Sequence, residues 1–359
     1  MGMKNPFMLK TVIGNTTFSL KADPGESFLV RDVWIVSPSA NYVNLKIDRT
    51  LVGYFRCGGT LGSHLNMHRG RAQHSHSLEL AAGAAITATN HQQITNSGGS
   101  ASGLYVANSG TTDGDGTRAL DMSRSGEQSA LTLLGLLGSQ GLFAGYPVAE
   151  GQTFVIDGVK DSDSIVMVQY EVHDAEDMSG DMPNGSHASE YTFVNYGNCG
   201  ASIQATADNL FSTPKNPAEF HDFPYGKVVP PNYEITLLGI LGSTFAPKEN
   251  DGTDYSYTKY LKMVKQRETL FDEDRNGILF IARNTSSKAN NDMIAEGWSP
   301  IGNYTDEDAK PPFLFPAPLV FLPGDELNIY VTLEIGSSGQ ALAIDEHEIG
   351  LITTVRRAA

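Results

Sequence analysis

Five histidines lie close together in one polar stretch: His64, His68, His74, His76 and His91. Because alternate residues of a strand share a face, the His74-Ser75-His76 spacing would place two imidazoles side by side, as a transition-metal site requires. A cupin-type site also needs a Glu a few residues further on and a second His-bearing strand. Glu79 comes one residue early and no second motif follows. We therefore favour polar loop histidines over a metal site.

An acidic run near the end of the chain has the spacing of a calcium-binding loop. Asp272, Asp274 and Asn276 alternate as oxygen ligands do in such loops. The twelfth position is Arg283, where a helix–loop–helix calcium site needs Glu. Asn276-Gly277, lying between two apolar runs, is also a strong hairpin-turn signal, and we favour the hairpin. The candidate metal ligands are thus Asp272, Asp274 and Asn276 for a structural Ca²⁺. Asp113-Gly114-Asp115-Gly116, with Asp121 beyond, is a weaker candidate.

No catalytic motif is recognisable elsewhere. The sequence has no Gly-x-Ser-x-Gly elbow, no cysteine in an activating context and no glycine-rich phosphate loop. Carboxylates are plentiful, but no pair stands out as a glycosidase pair. We expect no catalytic residues, no cofactor apart from the Ca²⁺ considered above, and no enzymatic activity.

Charge and composition restrict the partners. Asp+Glu number 41 against Lys+Arg 25, giving a net charge of −16, so the overall field repels nucleic acid and no sequence-specific nucleic-acid binding is expected. One dense basic cluster (Lys259, Lys262, Lys265 and Arg267) is interpreted as a solvated face, with contact to nucleic acid, anionic lipid or an acidic neighbouring subunit as the alternative. Two cysteines cannot form a disulfide framework. The N-terminus has no signal-peptide pattern. The uncharged stretch Gln128–Ala149 contains glycines and Pro147, which favour buried strands over a membrane helix.

The hydrophobic pattern predicts an all-β protein, because short apolar or alternating runs recur between Gly, Pro, Asn and Asp turns. The predicted strands are Thr17–Leu20, Phe28–Val36, Tyr42–Ile47, Phe154–Ile156, Ile165–Val172, Glu234–Leu241, Ile278–Ala282, Leu319–Leu322, Leu327–Ile335 and Ile349–Val355. Helical spacing is best in Thr117–Leu134 and Thr258–Phe271, so one or two short helices are expected. Many short strands between turn signals favour a sandwich or jelly roll.

The order of elements repeats once along the chain. The runs at 22–36, 42–51, 148–156 and 165–172 correspond to those at 229–241, 260–270, 322–329 and 349–355. This predicts two consecutive jelly-roll domains: 1–178, with a long insertion at about 60–125, and 179–359. The insertion has no charged residue from Leu80 to Thr112, so it is expected to order against a neighbouring subunit or to remain a loose loop. Two octapeptides that differ at one position, Thr132–Ser139 and Thr236–Ser243, fall at different places in the two halves.

This organisation resembles that of the double jelly-roll viral major capsid proteins. The features that carry the resemblance are the two β-rich halves, the Pro24-Gly25-Glu26 and Pro323-Gly324-Asp325 turns before strands, and the long insertion. The resemblance implies a homotrimeric, pseudo-hexagonal capsomer of an icosahedral shell, located in the virion after synthesis in the host cytoplasm. The implied partners are neighbouring capsomers, other virion proteins and an internal membrane, with lipid or genome facing the basic termini (Lys4, Lys10, Arg356 and Arg357).

Three other classes share parts of this pattern. A capsid decoration, spike or phage tail protein would have the same β-rich, Gly-rich composition. A glycan-binding or glycan-amidase-like tandem jelly roll would be expected to have a secretion signal and aromatic platforms, whereas only Trp34 and Trp298 are present. A seed-storage-like bicupin is disfavoured by the incomplete histidine motif.

Overall fold

The all-β prediction is confirmed in the computed structural model, whose strands form antiparallel sheets. The structure describes residues 2–36, 42–56, 77–80, 117–121, 132–159, 162, 164–178, 190–203, 208–216, 223–242, 248–251, 254–271, 278–279, 312–335, 344 and 347–357. These residues form two compact units, one comprising Met1–Met67 with Ala130–Ala359 and the other His68–Ser129.

The described residues of the first half form ten strands, one short α-helix and one 3₁₀ turn. They are β1 (Met3–Ile13), β2 (Phe18–Lys21), β3 (Glu26–Val36), β4 (Tyr42–Ile47), β5 (Thr50–Arg56), β6 (Ser77–Leu80), β7 (Thr117–Asp121), α1 (Leu133–Ser139), β8 (Tyr146–Val148), β9 (Thr153–Asp157), β10 (Ile165–Asp174) and the turn Ala175–Met178. In the larger unit, one sheet has the order β1-β10-β3-β8 and a second has the order β2-β9-β4-β5. In the smaller unit, β6 pairs antiparallel with β7.

The second half contains eleven described strands in two further sheets. They are β11 (Glu190–Asn198), β12 (Asn209–Leu210), β13 (Thr213–Pro214), β14 (Tyr233–Gly242), β15 (Lys248–Asp251), β16 (Asp254–Lys265), β17 (Glu268–Phe271), β18 (Ile278–Leu279), β19 (Phe313–Phe321), β20 (Leu327–Ile335) and β21 (Ile349–Arg357). One sheet has the order β13-β11-β21-β14-β19. The other has the order β12-β20-β16-β15, with β17 and β18 also paired to β16.

The pairing in both halves follows one rule, in which the first strand meets the last and each inner strand meets its counterpart. The first half pairs β1 with β10, β2 with β9, β3 with β8 and β4 with β5. The second half pairs β11 with β21, β12 with β20, β14 with β19 and β16 with β17. Each half is thus a long hairpin rolled into two facing sheets, and this strand order matches that of a jelly roll.

The two halves also repeat the same hydrogen bonds at corresponding turns. Ala22, ahead of β3, exchanges backbone hydrogen bonds with the turn before β9, and Val229, ahead of β14, does the same with the turn before β20. Ala22 donates to Gln152 (2.9 Å) and accepts from Gly151 (3.1 Å), as Val229 donates to Asp325 (3.0 Å) and accepts from Gly324 (2.8 Å). Gly151 and Gly324 both have left-handed backbones, with φ of 80° and 87°. The same turn geometry therefore occurs in both halves of the chain.

A third turn repeats in the same way. Asp48, after β4, and Gln266, after β16, have φ of 54° and 51°. The amide of Asp48 donates to Thr153 O at 2.8 Å, and that of Gln266 donates to Glu326 O at 3.3 Å. The turn after β4 is thereby attached to the start of β9, and the turn after β16 to the residue directly before β20.

One apolar core runs from the first sandwich into the second. It contains first-half residues such as Phe18, Phe55 and Tyr146, and it continues into second-half residues on β11, β14 and β21. A separate cluster fills the interior of the second sandwich. Residues 191–198 of β11 are consequently buried on both faces of their sheet. The two sandwiches share a core and are packed as one body within the larger unit.

Two helix predictions are wrong. Thr258–Phe271 lies in β16 and β17, joined by a turn at Gln266-Arg267, because Leu261 and Met263 alternate into the core of the second sandwich. Thr117–Asp121 is β7, and among the described residues the predicted segment shares only Leu133 and Leu134 with a helix, α1. Within Gln128–Ala149, where buried strands were predicted, the structure has both α1 and β8.

Candidate functional site

A buried ion pair connects the two sandwiches. Arg56 ends β5 of the first half, and Glu348 directly precedes β21 of the second. Nη1 of Arg56 lies 3.2 Å from Oε1 of Glu348, and their side chains are only 2% and 3% exposed. The hydroxyl of Tyr42 donates to the second carboxylate oxygen of Glu348. The carboxylate is therefore held by two groups of the first half.

Three tyrosines surround this pair. The rings of Tyr42 and Tyr54 stack at 5.0 Å between centroids, and Tyr196 of β11 packs edge-on against both. The amide of Arg56 donates to the Tyr196 hydroxyl at 3.2 Å, and the Tyr54 hydroxyl donates to Lys215 O at 3.2 Å. These contacts also cross between the halves. We call the set Tyr42, Tyr54, Arg56, Tyr196 and Glu348 the junction cluster.

The electrostatics of the junction cluster suit a fixed structural contact. Burial raises the pKa of Glu348, while Arg56 and the Tyr42 hydroxyl act in the opposite direction. Burial, and then the negative charge of Glu348, raise the pKa of Tyr42 far above its usual value and that of Tyr54 to about 12. Both phenols remain protonated donors at neutral pH. The arrangement thus keeps its protons in place and fixes the register of one sandwich against the other.

A cleft of about 420 Å³ lies between the two halves, near the short turns. The first half contributes Asp48 and Gln152 to it, and the second contributes Tyr191, Tyr233 and Arg357. The guanidinium of Arg357 lies 5.8 Å from the centre of the Tyr233 ring, and the Asp48 carboxylate accepts from the amide of Thr153. The side chains of Arg357 and Asp48 at the wall of the cleft thus interact with other parts of the protein.

The predicted calcium ligands Asp272, Asp274 and Asn276 lie outside the described residues, and so do the five histidines and Asp113–Gly116. Within the described parts of the chain, no cluster of His, Cys, Asp and Glu is arranged to hold a metal. The strands flanking Asp272–Gly277 are nevertheless informative. Phe271 pairs with Met263, and Ile278 pairs with Leu261, on the same edge of β16.

The hairpin turn predicted at Asn276-Gly277 also lies outside the described residues. On either side of it, β17 and β18 follow one another along β16, and each pairs antiparallel with that strand.

The basic cluster is partly neutralised by neighbouring groups. Lys262 Nζ lies 3.3 Å from Asp208 Oδ2 and 5.6 Å from the centre of the Tyr330 ring. Lys265 Nζ donates to Val320 O at 2.7 Å and lies above the Phe321 ring. Lys262 and Lys265 are thus partly covered and are engaged with groups of the protein itself.

The basic residues near the termini also have partners within the chain. Lys4 donates to Gly25 O and lies 3.6 Å from Asp174, and Lys10 donates to Ser19 O. Arg357 lies over Tyr233, as described above. These groups are therefore engaged with the protein itself.

Two further buried polar groups were missed in the sequence. Asp32 accepts from the Thr132 hydroxyl at the start of α1 and from the amide of Val33, and burial raises its pKa to about 6. His347 is fully buried and accepts from the amide of Cys199 at 3.1 Å. Burial raises the pKa of the Cys199 thiol to about 12, so it is not an activated nucleophile. The available signal was a charged or polar residue within or next to an apolar strand, as at Asp32, Arg56 and Glu348.

No family model matches this sequence, and neither does any curated protein. Within the described residues, no helix combines the length and hydropathy needed to cross a bilayer.

Proposed function

We propose that this protein is a structural subunit of an icosahedral virus shell, of the double jelly-roll type, that assembles as a homotrimer. The observation that carries the proposal is the repeated strand order, since both halves roll the same hairpin into two sheets. The matching hydrogen bonds at Ala22 and Val229 support the equivalence of the halves. Three copies of such a chain present six similar lobes, which is the geometry of a pseudo-hexagonal capsomer.

The junction cluster supports a structural role for the paired sandwiches. A shell subunit must hold its two lobes in one fixed arrangement, because each lobe contacts a different neighbour. The shared apolar core and the Arg56–Glu348 pair hold them in this way. An enzyme with a site between two lobes more often has a polar, mobile interface there.

The proposal also covers partners and location. The subunit would contact copies of itself and other virion proteins, and it would be found in the virion. Contact of the basic termini with an internal membrane has weaker support, because Lys4 and Lys10 are directed to backbone carbonyls.

Negative-stain electron microscopy of the purified protein, with class averaging, tests the proposal. Compact three-fold particles with a pseudo-hexagonal outline are the expected result. Monomers with a cleft between two lobes would contradict it and favour a glycan-active pair. Elongated or plainly three-lobed trimers would contradict it in favour of a decoration or spike protein. Light scattering after size-exclusion chromatography supplies an independent mass for the same sample.

A further inference from the structure

The outer face of the sheet β1-β10-β3 is apolar at one end, where an antiparallel sandwich normally has polar residues. Val166 and Val168 point into the core, so Ile165 and Met167 of the same strand point outward. The register places Ile13 opposite Ile165 and Thr11 opposite Met167. Apolar residues therefore lie next to each other across two strands on the solvent side.

The exposure of this face is large. We call Met3, Phe7, Leu9, Ile13 and Ile165 the β1 strip; they are 52%, 58%, 47%, 71% and 39% exposed. With about 200 Å² for a fully exposed side chain of this size, the strip presents on the order of 500 Å². This lies near the upper end of the patches that monomers expose and is more than half of the roughly 800 Å² that one partner buries in a standard interface.

The edge of β1 is protected although its face is not. Lys4 and Lys10 extend from this edge strand to the carbonyl oxygens of Gly25 and Ser19. Lysines on an edge strand hinder the addition of a further strand. A partner is therefore expected to pack on the face of the sheet and not to extend it.

A second apolar patch lies in the other half of the chain. Val228, Val320 and Leu322 are 48%, 45% and 52% exposed, and we call them the β19 patch. Strand β19 is an edge strand of its sheet. Val320 pairs with Thr236, whereas the neighbouring Ile235 and Leu237 face the core, so Val320 points outward.

We propose that the β1 strip of one copy packs against the β19 patch of a second copy of this chain, in a head-to-tail contact that closes a ring. The inference rests on the proposed function only in taking that ring to be the trimer. Because the patches lie in different halves, joining one to the other gives a heterologous interface, and such interfaces form rings when the rotation closes.

The charge distribution favours a second copy over other partners. A net charge of −16 makes copies repel one another, so contact is most favourable where acidic side chains are absent. The strip consists only of uncharged side chains. An anionic lipid surface or nucleic acid would need basic groups there, and the two lysines of β1 are directed to carbonyl oxygens.

Two charge insertions and their mixture test the arrangement. Ile13→Glu and Val320→Glu are each expected to convert the oligomer to monomer in light scattering, with at least a hundredfold weaker association. In an equimolar mixture, each variant retains one intact patch, so one heterodimer and no closed ring is expected. Leu210→Glu, at an exposed apolar residue of β12 outside both patches, is the matched control and should remain oligomeric.

The outcomes separate this inference from the proposed function. Trimers in both the wild type and Ile13→Glu would overturn the strip contact and leave the shell proposal standing. An oligomeric Val320→Glu beside a monomeric Ile13→Glu would overturn the head-to-tail arrangement. A wild type that is monomeric at every concentration would contradict the proposed function itself. Circular dichroism and melting curves establish that each variant is folded, and Leu9→Ser, which inserts no charge, should weaken association in the same direction.

Discussion

Replacing Arg56 with Met should destabilise the protein by a defined amount that depends on pH. Methionine keeps most of the volume but removes the cation that faces Glu348. The carboxylate would then be buried with the Tyr42 hydroxyl as a donor, and the charged form would be strongly disfavoured. The Glu348 carboxylate is then expected to bind a proton. Protonating a carboxylate with a reference pKa of 4.5 costs about 3.4 kcal/mol at pH 7, and this cost is the upper limit of the electrostatic loss.

The pH dependence follows from the same proton. In the variant, the folded-state pKa of Glu348 lies above its unfolded value, so the folded protein binds more protons and loses stability as the pH rises. Burial already raises the pKa of Glu348 in the wild type, and loss of the Arg56 cation raises it further, so the deficit relative to the wild type should grow from pH 5 to pH 7 and stay below about 3.4 kcal/mol. Urea unfolding of both proteins at the two pH values measures this difference.

The reciprocal replacement is the sharpest control. Glu348→Leu leaves a buried guanidinium, which cannot release its proton at any accessible pH. Without a carboxyl at position 348, this site should contribute no pH dependence to the stability of the variant between pH 5 and 7. The double variant Arg56→Met with Glu348→Leu removes both charges and should recover most of the loss, apart from about 1–3 kcal/mol for the abandoned Tyr42 hydroxyl. A loss below 1 kcal/mol in Arg56→Met at pH 7, or one that does not change with pH, would refute this account of the junction.

Three other predictions concern separate parts of the chain. Asp32→Asn should stabilise the protein by up to about 3 kcal/mol at neutral pH, because burial raises the Asp32 pKa from 3.8 to about 6. The gain in stability over the wild type should vanish as the pH falls toward 4. A gain that is constant with pH in urea unfolding would contradict this prediction. Gly145→Ala should destabilise the protein by more than about 1 kcal/mol, since the φ of Gly145 is 142° and an added Cβ would lie 2.4 Å from Val30 O. Gly138→Ala in α1 has open space around it and should stabilise the protein by up to about 1 kcal/mol. Equal shifts in melting temperature for the two variants would contradict this argument. If Asp272 and Asp274 bind Ca²⁺, chelation should modestly lower the melting temperature of the wild type but not that of Asp272→Ala with Asp274→Ala. An unchanged wild-type curve would exclude the calcium site.

Several strands were predictable from a local apolar pattern, including β21, which is buried on both faces, but β11 was not. Tyr42–Ile47 and Leu327–Ile335 coincide with β4 and β20, because their sequences alternate between apolar and polar residues or are continuously apolar. Strand β11 was missed, since Thr192, Asn195 and Asn198 interrupt its apolar pattern although all three are buried. Their polar groups are satisfied by tertiary contacts, such as Asn195 to Thr353 and Asn198 to Ile344 O. A local pattern cannot contain information about such partners.

The junction cluster could not be predicted from the sequence for the same reason. Arg56 and Glu348 are nearly three hundred residues apart in sequence, and each by itself resembles an ordinary charged residue at the end of a strand. Only the rolled hairpin of each half, and the packing of one half on the other, brings them within 3.2 Å. The turns, by contrast, were visible as Gly25, Gly151 and Gly324, because a left-handed backbone favours glycine there.

Two nearly identical octapeptides show how far context decides structure in this chain. Thr132–Ser139 forms the N-cap and body of α1, whereas Thr236–Gly242, the matching segment, lies within strand β14. In the helix, the Thr132 hydroxyl accepts from the amide of Gly135 and donates to Asp32, so the cap is fixed by a tertiary partner. In the strand, Gly239 lies where an added Cβ would come within 2.3 Å of Phe313 O, so the close approach of β19 requires glycine. The matching glycines, Gly135 in the helix and Gly239 in the strand, therefore have different neighbours. The difference between Leu136 and Ile240 is too small to decide between helix and strand. The neighbouring strands decide the secondary structure of each segment. They are β3, with Asp32, beside α1, and β19 and β21 on either side of β14.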